Sequence, residues 1–211
     1  MTQQSFIHDS RFSNSLIWYP EHDMGYYPVT DQPYDQNYWD KYVGYAKSEM
    51  GRKITEARIK WVNQWASGLP VVDVGIGCGH FIEERVKTDP TLGFDINPVG
   101  VRWLEDRSLL VSPYETEVDA VSFWDVIEHI HNPEPLLRNV RQYVFASIPI
   151  FRDASQVLTS KHFRKDEHCW YWTARSFPTF MGWFGFDFIG ASRFETDLGR
   201  EDIMTFSFKR K

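Results

Sequence analysis

Val71-Val72-Asp73-Val74-Gly75-Ile76-Gly77-Cys78-Gly79-His80 passes from a run of β-branched residues into a turn with glycine at alternate positions, and then into a helix that begins near Phe81. Glycines in such a turn let the backbone approach a ligand closely and take positive φ without steric cost. A second apolar run, Thr91 to Asp95, ends on an acid 20 positions after Gly75 (95 − 75). In that place a carboxylate can accept both hydroxyls of a ribose. The spacing does not suit a nicotinamide loop, which needs Gly-x-Gly-x-x-Gly or Ala. Counted from Gly75 the last position is His80, and counted from Gly77 it is Ile82.

Working outward, strands and helices alternate. Upstream, Met50, Ile54, Ala57, Trp61, Val62 and Trp65 recur at spacings of three and four, which predicts a helix from Ser48 that stops at Gly68 and Pro70. Downstream, helices are predicted over 81–87 and 97–106, and strands over 108–111 and 119–124. Asn132-Pro133 reads as cap plus first helical residue of a helix to about Arg141. A buried strand over 143–148 and a long loop follow, then a helix capped by Thr173 that runs through Trp183 to Gly185. Strands over 186–191 and 203–208 close the chain and are expected to pair antiparallel. This pattern predicts an α/β fold: a doubly wound, mostly parallel sheet with an antiparallel last strand. Residues 1–45, rich in Tyr, Trp, Asp and Pro, read as a loop-rich arm or lid, and residues 46–211 as the ligand-binding domain.

The 211 residues carry a net charge of −6, so no general basic field would draw a polyanion. Cys78 and Cys169 set up no disulfide framework and suit a reducing cytosol. With no signal peptide and no apolar run of membrane length, the chain reads as cytoplasmic, without a membrane partner. Aromatic residues make up 17%, including nine Trp, and they suit either a core or a pocket that packs flat ligands.

Asp73 with the alternating glycines, Asp-x-Gly-x-Gly-x-Gly, resembles the first motif of the class I S-adenosylmethionine-dependent methyltransferases. Gly93-Phe94-Asp95-Ile96 resembles their second motif, and Asp119 to His129 their fourth. The likeness runs over residues 45 to 209 in the same order. It implies S-adenosyl-L-methionine as cofactor, with Gly75, Gly77 and Gly79 shaping its loop. Asp73 would face its cationic amino-acid end, Asp95 and Ile96 its ribose, and Trp124 would wall the methyl pocket. Ser112 falls where the family reads adenine, although Ser112-Pro113 equally builds a turn.

The stretch after the fourth strand bears on the acceptor. Phe123 to His129 lacks the Asp/Asn/Ser-Pro-Pro-Tyr/Phe of amino-directed DNA methyltransferases, and no Pro-Cys nucleophile exists for cytosine carbon-5. Asp125, Glu128 and His129 are spaced to share one side of a helical turn. They resemble the Glu-x-x-Glu-His metal motif of small-RNA 2′-O-methyltransferases and ubiquinone-pathway enzymes. Glu167-His168-Cys169-Trp170-Tyr171-Trp172-Thr173 resembles the segment that brings a further histidine in the former. The resemblance implies a divalent metal on Asp125, Glu128, His129 and His168; otherwise these groups brace the helix and loop. Without a metal, His129 or His131 is the expected general base, His131 alternatively being a solvated turn residue. Lys161 to Lys165 is the densest basic cluster, facing an anionic group of the substrate or forming a mixed-charge loop. The expected activity is methyl transfer to a small molecule or exposed terminal group, at oxygen. The alternatives are metal-assisted 2′-O-methylation of an RNA or nucleotide, cofactor binding without transfer in support of a partner protein, and nicotinamide redox chemistry. The sequence leaves the oligomeric state open.

Overall fold

The computed structural model describes residues 16–28, 34–164 and 166–211. In chain order, β1 (Ile17–Tyr19), β2 (Met24–Tyr26), α1 (Gln36–Lys47) and α2 (Glu49–Ala66) lead into β3 (Val71–Val74), α3 (His80–Arg85), β4 (Thr91–Phe94) and α4 (Pro98–Glu105). β5 (Val118–Trp124), a 3-10 turn at Ile127–His129, α5 (Glu134–Leu137), β6 (Val140–Phe151) and α6 (Ala154–Thr159) follow. Then come β7 (Trp170–Thr173), α7 (Ser176–Trp183), β8 (Phe186–Ser192), α8 (Phe194–Asp197) and β9 (Ile203–Arg210).

The parallel strands β4, β3, β5 and β6 lie side by side in that order. Successive residues of these strands feed opposite faces, so both faces must be covered. Val71, Ala120 and Phe145 pack with Val62 and Ala66 of α2. Val72, Val121 and Val144 pack instead with Phe177, Phe180 and Met181 of α7. β9 runs antiparallel to β6, and β8 antiparallel to β9. The chain is α/β and doubly wound, with antiparallel closing strands. The path steps from β3 to β4 on one side and continues from β5 to β6 on the other. The crevice at the carboxyl ends of β3 and β5 is therefore the topological switch point where such sheets bind ligands.

Several elements differ from the sequence reading. The described part of the first 45 residues is not loop-rich: β1 and β2 form a hairpin that joins the sheet through β7, and α1 begins at Gln36 under an Asp35 cap (Tyr38 N–H to Oδ1, 2.9 Å). Its first 15 residues lie outside the described ones. The strand expected over 108–111 is reduced to one bridge between Gly93 and Leu110. Asn132 does accept the Glu134 N–H (3.1 Å), but the helix it opens ends at Leu137, because Val140 already enters the 12-residue β6. Trp170–Thr173, expected as loop, is a strand of β-favouring aromatics paired with β2 and with the end of β6. Thr173 accepts the Ser176 N–H (3.1 Å) at the start of α7. Much of the aromatic surplus is core: Trp172, Phe177, Phe180, Phe206 and Phe208 form one contiguous cluster.

No helix among the described residues is long and apolar enough to cross a membrane.

Candidate active site

A cavity of about 710 Å³ opens at the switch point. One end is built from the glycine turn and the tips of β3 and β4: Asp73, Gly75, Gly77, Asp95, Ile96 and Tyr114 line it. Gly75 has φ +71°, and a Cβ there would lie 2.6 Å from a methyl of Val126, so only glycine fits. Asp73 and Ser122 are register partners on β3 and β5. The Ser122 hydroxyl donates to Asp73 Oδ1 (2.7 Å), while Oδ2 is buried with no hydrogen-bond partner among the described residues. Burial pushes the Asp73 carboxyl up to about 7, against the opposing pull of the Ser122 hydroxyl. Asp95 accepts the Asn97 N–H (2.8 Å) and is also raised by burial.

The sequence placed the adenine contact at Ser112 and gave Gly79 a share in the cofactor loop; neither lines the cavity. The Ser112 carbonyl instead accepts the N–H groups of Glu115 (3.2 Å) and Thr116 (2.9 Å), closing a turn. Gly79 packs its open face against the Trp103 ring. Tyr114, which the sequence reading passed over, lines the cavity with its ring 5.5 Å from that of Phe94.

The middle of the cavity carries Trp124 and Asp125. The Arg58 guanidinium lies 4.7 Å from the Trp124 ring and Phe81 packs 5.2 Å from it. Asp125 departs from the sequence expectation. Its backbone is left-handed (φ +59°) and lies ahead of the 3-10 turn, so it does not share a helical face with Glu128 and His129. Its carboxylate turns to Arg200 (2.8 and 2.9 Å) and Arg58 (3.5 Å). Burial would raise this carboxyl, but Arg200, with Arg58 behind it, holds it below its ordinary value. Both arginines also bind Glu195, fully buried on α8, which takes the Ser147 hydroxyl as well (2.6 Å). Arg200 belongs to a turn to which the sequence reading assigned no chemistry, and Arg58 and Glu195 were not singled out at all.

At the far end, His129, His131 and His168 face Tyr34, Tyr38 and Tyr42 across the cavity. Tyr34 Oη lies 3.5 Å from His129 Nδ1, and the exposed His131 pairs with the Tyr26 hydroxyl (2.8 Å). Burial pulls His129 down to about 4 and, with His129 and Arg164 adding, takes His168 well below its ordinary value. Tyr42 also approaches Gly77 of the glycine turn. The tyrosine spacing of four was legible as a helical stripe but went unread among the surrounding Pro and Asp. Glu128, His129 and His168 each offer a ligand atom within 4.8 Å of the others. Both Glu128 carboxylate oxygens and His168 Nδ1 lack partners among the described residues. With Asp125 held by arginines, the four-ligand set expected from sequence falls to three. Of the basic cluster, His162 and Arg164 line the cavity, and Arg164 pairs with Glu167. Lys161 pairs with Glu201 (2.5 Å) outside it, and Lys165 lies outside the described residues.

A methyltransferase-domain family model matches residues 42–190, well over half of the chain. No protein of curated function matches by sequence. By fold, the chain resembles a possible histamine N-methyltransferase from Thermotoga maritima (12% identity, 83% of this chain and 97% of the other, TM-score 0.61). It also resembles 1,6-didemethyltoxoflavin-N1-methyltransferase from Burkholderia thailandensis (10%, 93% and 99%, 0.58). A third likeness is magnesium protoporphyrin IX methyltransferase from Synechocystis PCC 6803 with S-adenosylhomocysteine bound (12%, 83% and 95%, 0.57). With the family model matched over the switch-point cavity, the chain belongs to the class I S-adenosylmethionine-dependent methyltransferases.

Proposed function

We propose that this methyltransferase acts on a small-molecule acceptor, at oxygen, held in the tyrosine- and histidine-lined end of the cavity. The observation that carries the reading is the continuity of one cavity from Asp73 and Asp95 to His129 and His131. Its volume lies within the range of about 300–1,000 Å³ usual for small-molecule sites. The structural relatives named for small-molecule acceptors support the same class.

The residues present fit the cofactor. Asp73 Oδ2 is a buried acceptor lacking a partner, suited to an ammonium group, and Asp95 at the end of β4 suits a ribose. The turn at Gly75 and Gly77 leaves no side chain between backbone and ligand. When bound, S-adenosylmethionine supplies the electrophilic methyl group. The chain's own work is then to hold the acceptor in line, exclude water and take up a proton. Tyr34, Tyr38 and Tyr42 wall off the acceptor end as a lid, Trp124 covers the middle, and His129 and His131 are the imidazoles placed to receive the proton.

The unpartnered Glu128 oxygens and His168 Nδ1 favour a second reading, in which Glu128, His129 and His168 hold a divalent metal. Such an ion would lower the pKa of an acceptor hydroxyl. Purified protein incubated with fractionated metabolites should release S-adenosylhomocysteine with a small-molecule fraction, and NMR of the labelled product should show an O-methyl group. Turnover with RNA alone, an N-methyl product, or no turnover with any pool would contradict the first reading. Protein free of metal by elemental analysis, with activity indifferent to chelator, would remove the second.

A further inference from the structure

Asp73 can serve an ammonium group only if its two oxygens are kept in different roles. In an open site a carboxylate rotates and is hydrated on both oxygens. Here the side chain is 1% exposed, and its one hydrogen-bond partner among the described residues is a hydroxyl on the neighbouring strand. Ser122 is itself fully buried, between Val121 and Phe123 of β5, and is placed opposite Asp73 by the parallel register. Its hydroxyl donates to Oδ1 at 2.7 Å, which leaves Oδ2 as the unpartnered atom of a residue that lines the cavity. A strand position buried on both faces would ordinarily hold Val, Ile or Ala, so a polar residue here calls for a reason.

We propose that Ser122 is a positioning residue for the cofactor: its hydroxyl fixes one oxygen of Asp73 across the β3–β5 pair, so that the other is kept as a preorganised acceptor for the cofactor's ammonium group. This rests on the reading that Asp73 meets the amino-acid end. Two consequences follow from one hydrogen bond. Geometrically, loss of the hydroxyl frees the carboxylate to rotate. Electrostatically, a donor to the ionised form favours it, so loss of the hydroxyl raises the Asp73 pKa further above its present value near 7. The other charged groups that act on Asp73 are Arg58 from α2, which lowers its pKa, and Asp95 beyond β4, which raises it. Neither is altered by a change at Ser122.

The test is calorimetric titration of wild type, Ser122→Ala, Ser122→Thr and Asp73→Asn with S-adenosylhomocysteine and with 5′-methylthioadenosine, which lacks the amino-acid portion, between pH 6 and 9. Ser122→Ala should bind S-adenosylhomocysteine about tenfold to a hundredfold more weakly at pH 7. The pH below which affinity falls should move upward, binding of 5′-methylthioadenosine should be unchanged, and Ser122→Thr, which keeps the hydroxyl, should restore affinity. Wild-type affinity and pH profile in Ser122→Ala would overturn the proposal. So would equal weakening of both ligands, which marks a general loss of structure. If Asp73→Asn also binds S-adenosylhomocysteine as wild type does, the underlying assignment of Asp73 fails as well.

Discussion

Asp73→Asn should leave a protein that is more stable than wild type at pH 8 in the absence of cofactor, yet binds S-adenosylhomocysteine roughly 30- to 1,000-fold more weakly. Burial lifts the Asp73 carboxyl from 3.8 to about 7, which means that folding opposes its ionisation. A raised carboxyl stabilises the fold fully below about pH 4, and that contribution disappears as pH climbs through about 7. At pH 8 the folded protein carries a buried charge that it lacks at pH 5. Three pK units correspond to at most about 4 kcal/mol, less what it costs to leave the asparagine Nδ2 unpartnered. Thermal unfolding without ligand should therefore show the variant above wild type at pH 8 and level with or below it at pH 5. Under the proposed assignment the same charge would hold the cofactor's ammonium group, so stability and binding should move in opposite directions. A variant less stable than wild type at pH 8 would show that Asp73 is not held against its ionisation.

Glu195→Ala, which removes the buried partner behind the cavity-lining Arg58 and Arg200, should destabilise the fold by about 3–5 kcal/mol. Glu195 is fully buried and accepts from Arg58 Nε (2.7 Å), Arg58 Nη2 (2.9 Å), Ser147 Oγ (2.6 Å) and Arg200. Its removal leaves two guanidinium groups, with side-chain exposures of 13% and 22%, to share Asp125 alone. For a chain of this length that loss corresponds to roughly 6–20 °C in melting temperature. Arg58 also covers Trp124, and Arg200 pairs with the Asp125 carboxylate, so the damage reaches the middle of the cavity. A melting temperature within a degree or two of wild type would show the network to be dispensable. The cluster ties α2, β6, α8 and the turn before β9 to the tip of β5.

What could be read from the sequence was local. The valine run, the alternating glycines and the apolar run ending on Asp95 each carry their signal within ten residues, and they placed β3, α3 and β4. The strand–helix alternation then left few topologies, and the antiparallel closing strands followed from a connection too short for a crossover helix, which in the structure holds only the four-residue α8. The acids at Asp73 and Asp95 were found because their spacing is set by one βαβ unit. The Arg58–Glu195 pair was invisible because 137 positions separate its members, and no local pattern marks an ion pair closed only by packing. Asp125 misled for a related reason: its helical spacing to Glu128 and His129 was regular, but its backbone is left-handed and its carboxylate is taken by two arginines distant in sequence. Ser122 was hidden inside an apolar strand, where its meaning depends on which residue stands opposite.

The position of the acids also explains why the fold serves this chemistry. The order in which the chain adds its parallel strands reverses at β3, with β4 on one side and β5 on the other, so the strand tips and the glycine turn open together into one crevice. On the proposed assignment the cationic end of the cofactor would meet Asp73 and its ribose Asp95, leaving the part of the cavity lined by Trp124 and the histidines for the acceptor.

Calorimetric titration of the unaltered protein with S-adenosylhomocysteine, alongside Asp95→Ala, tests this account most directly. One molecule should bind per chain, at least tenfold more weakly once Asp95 is removed. No heat of binding, or the same affinity without Asp95, would contradict the placement of the cofactor between the two acids.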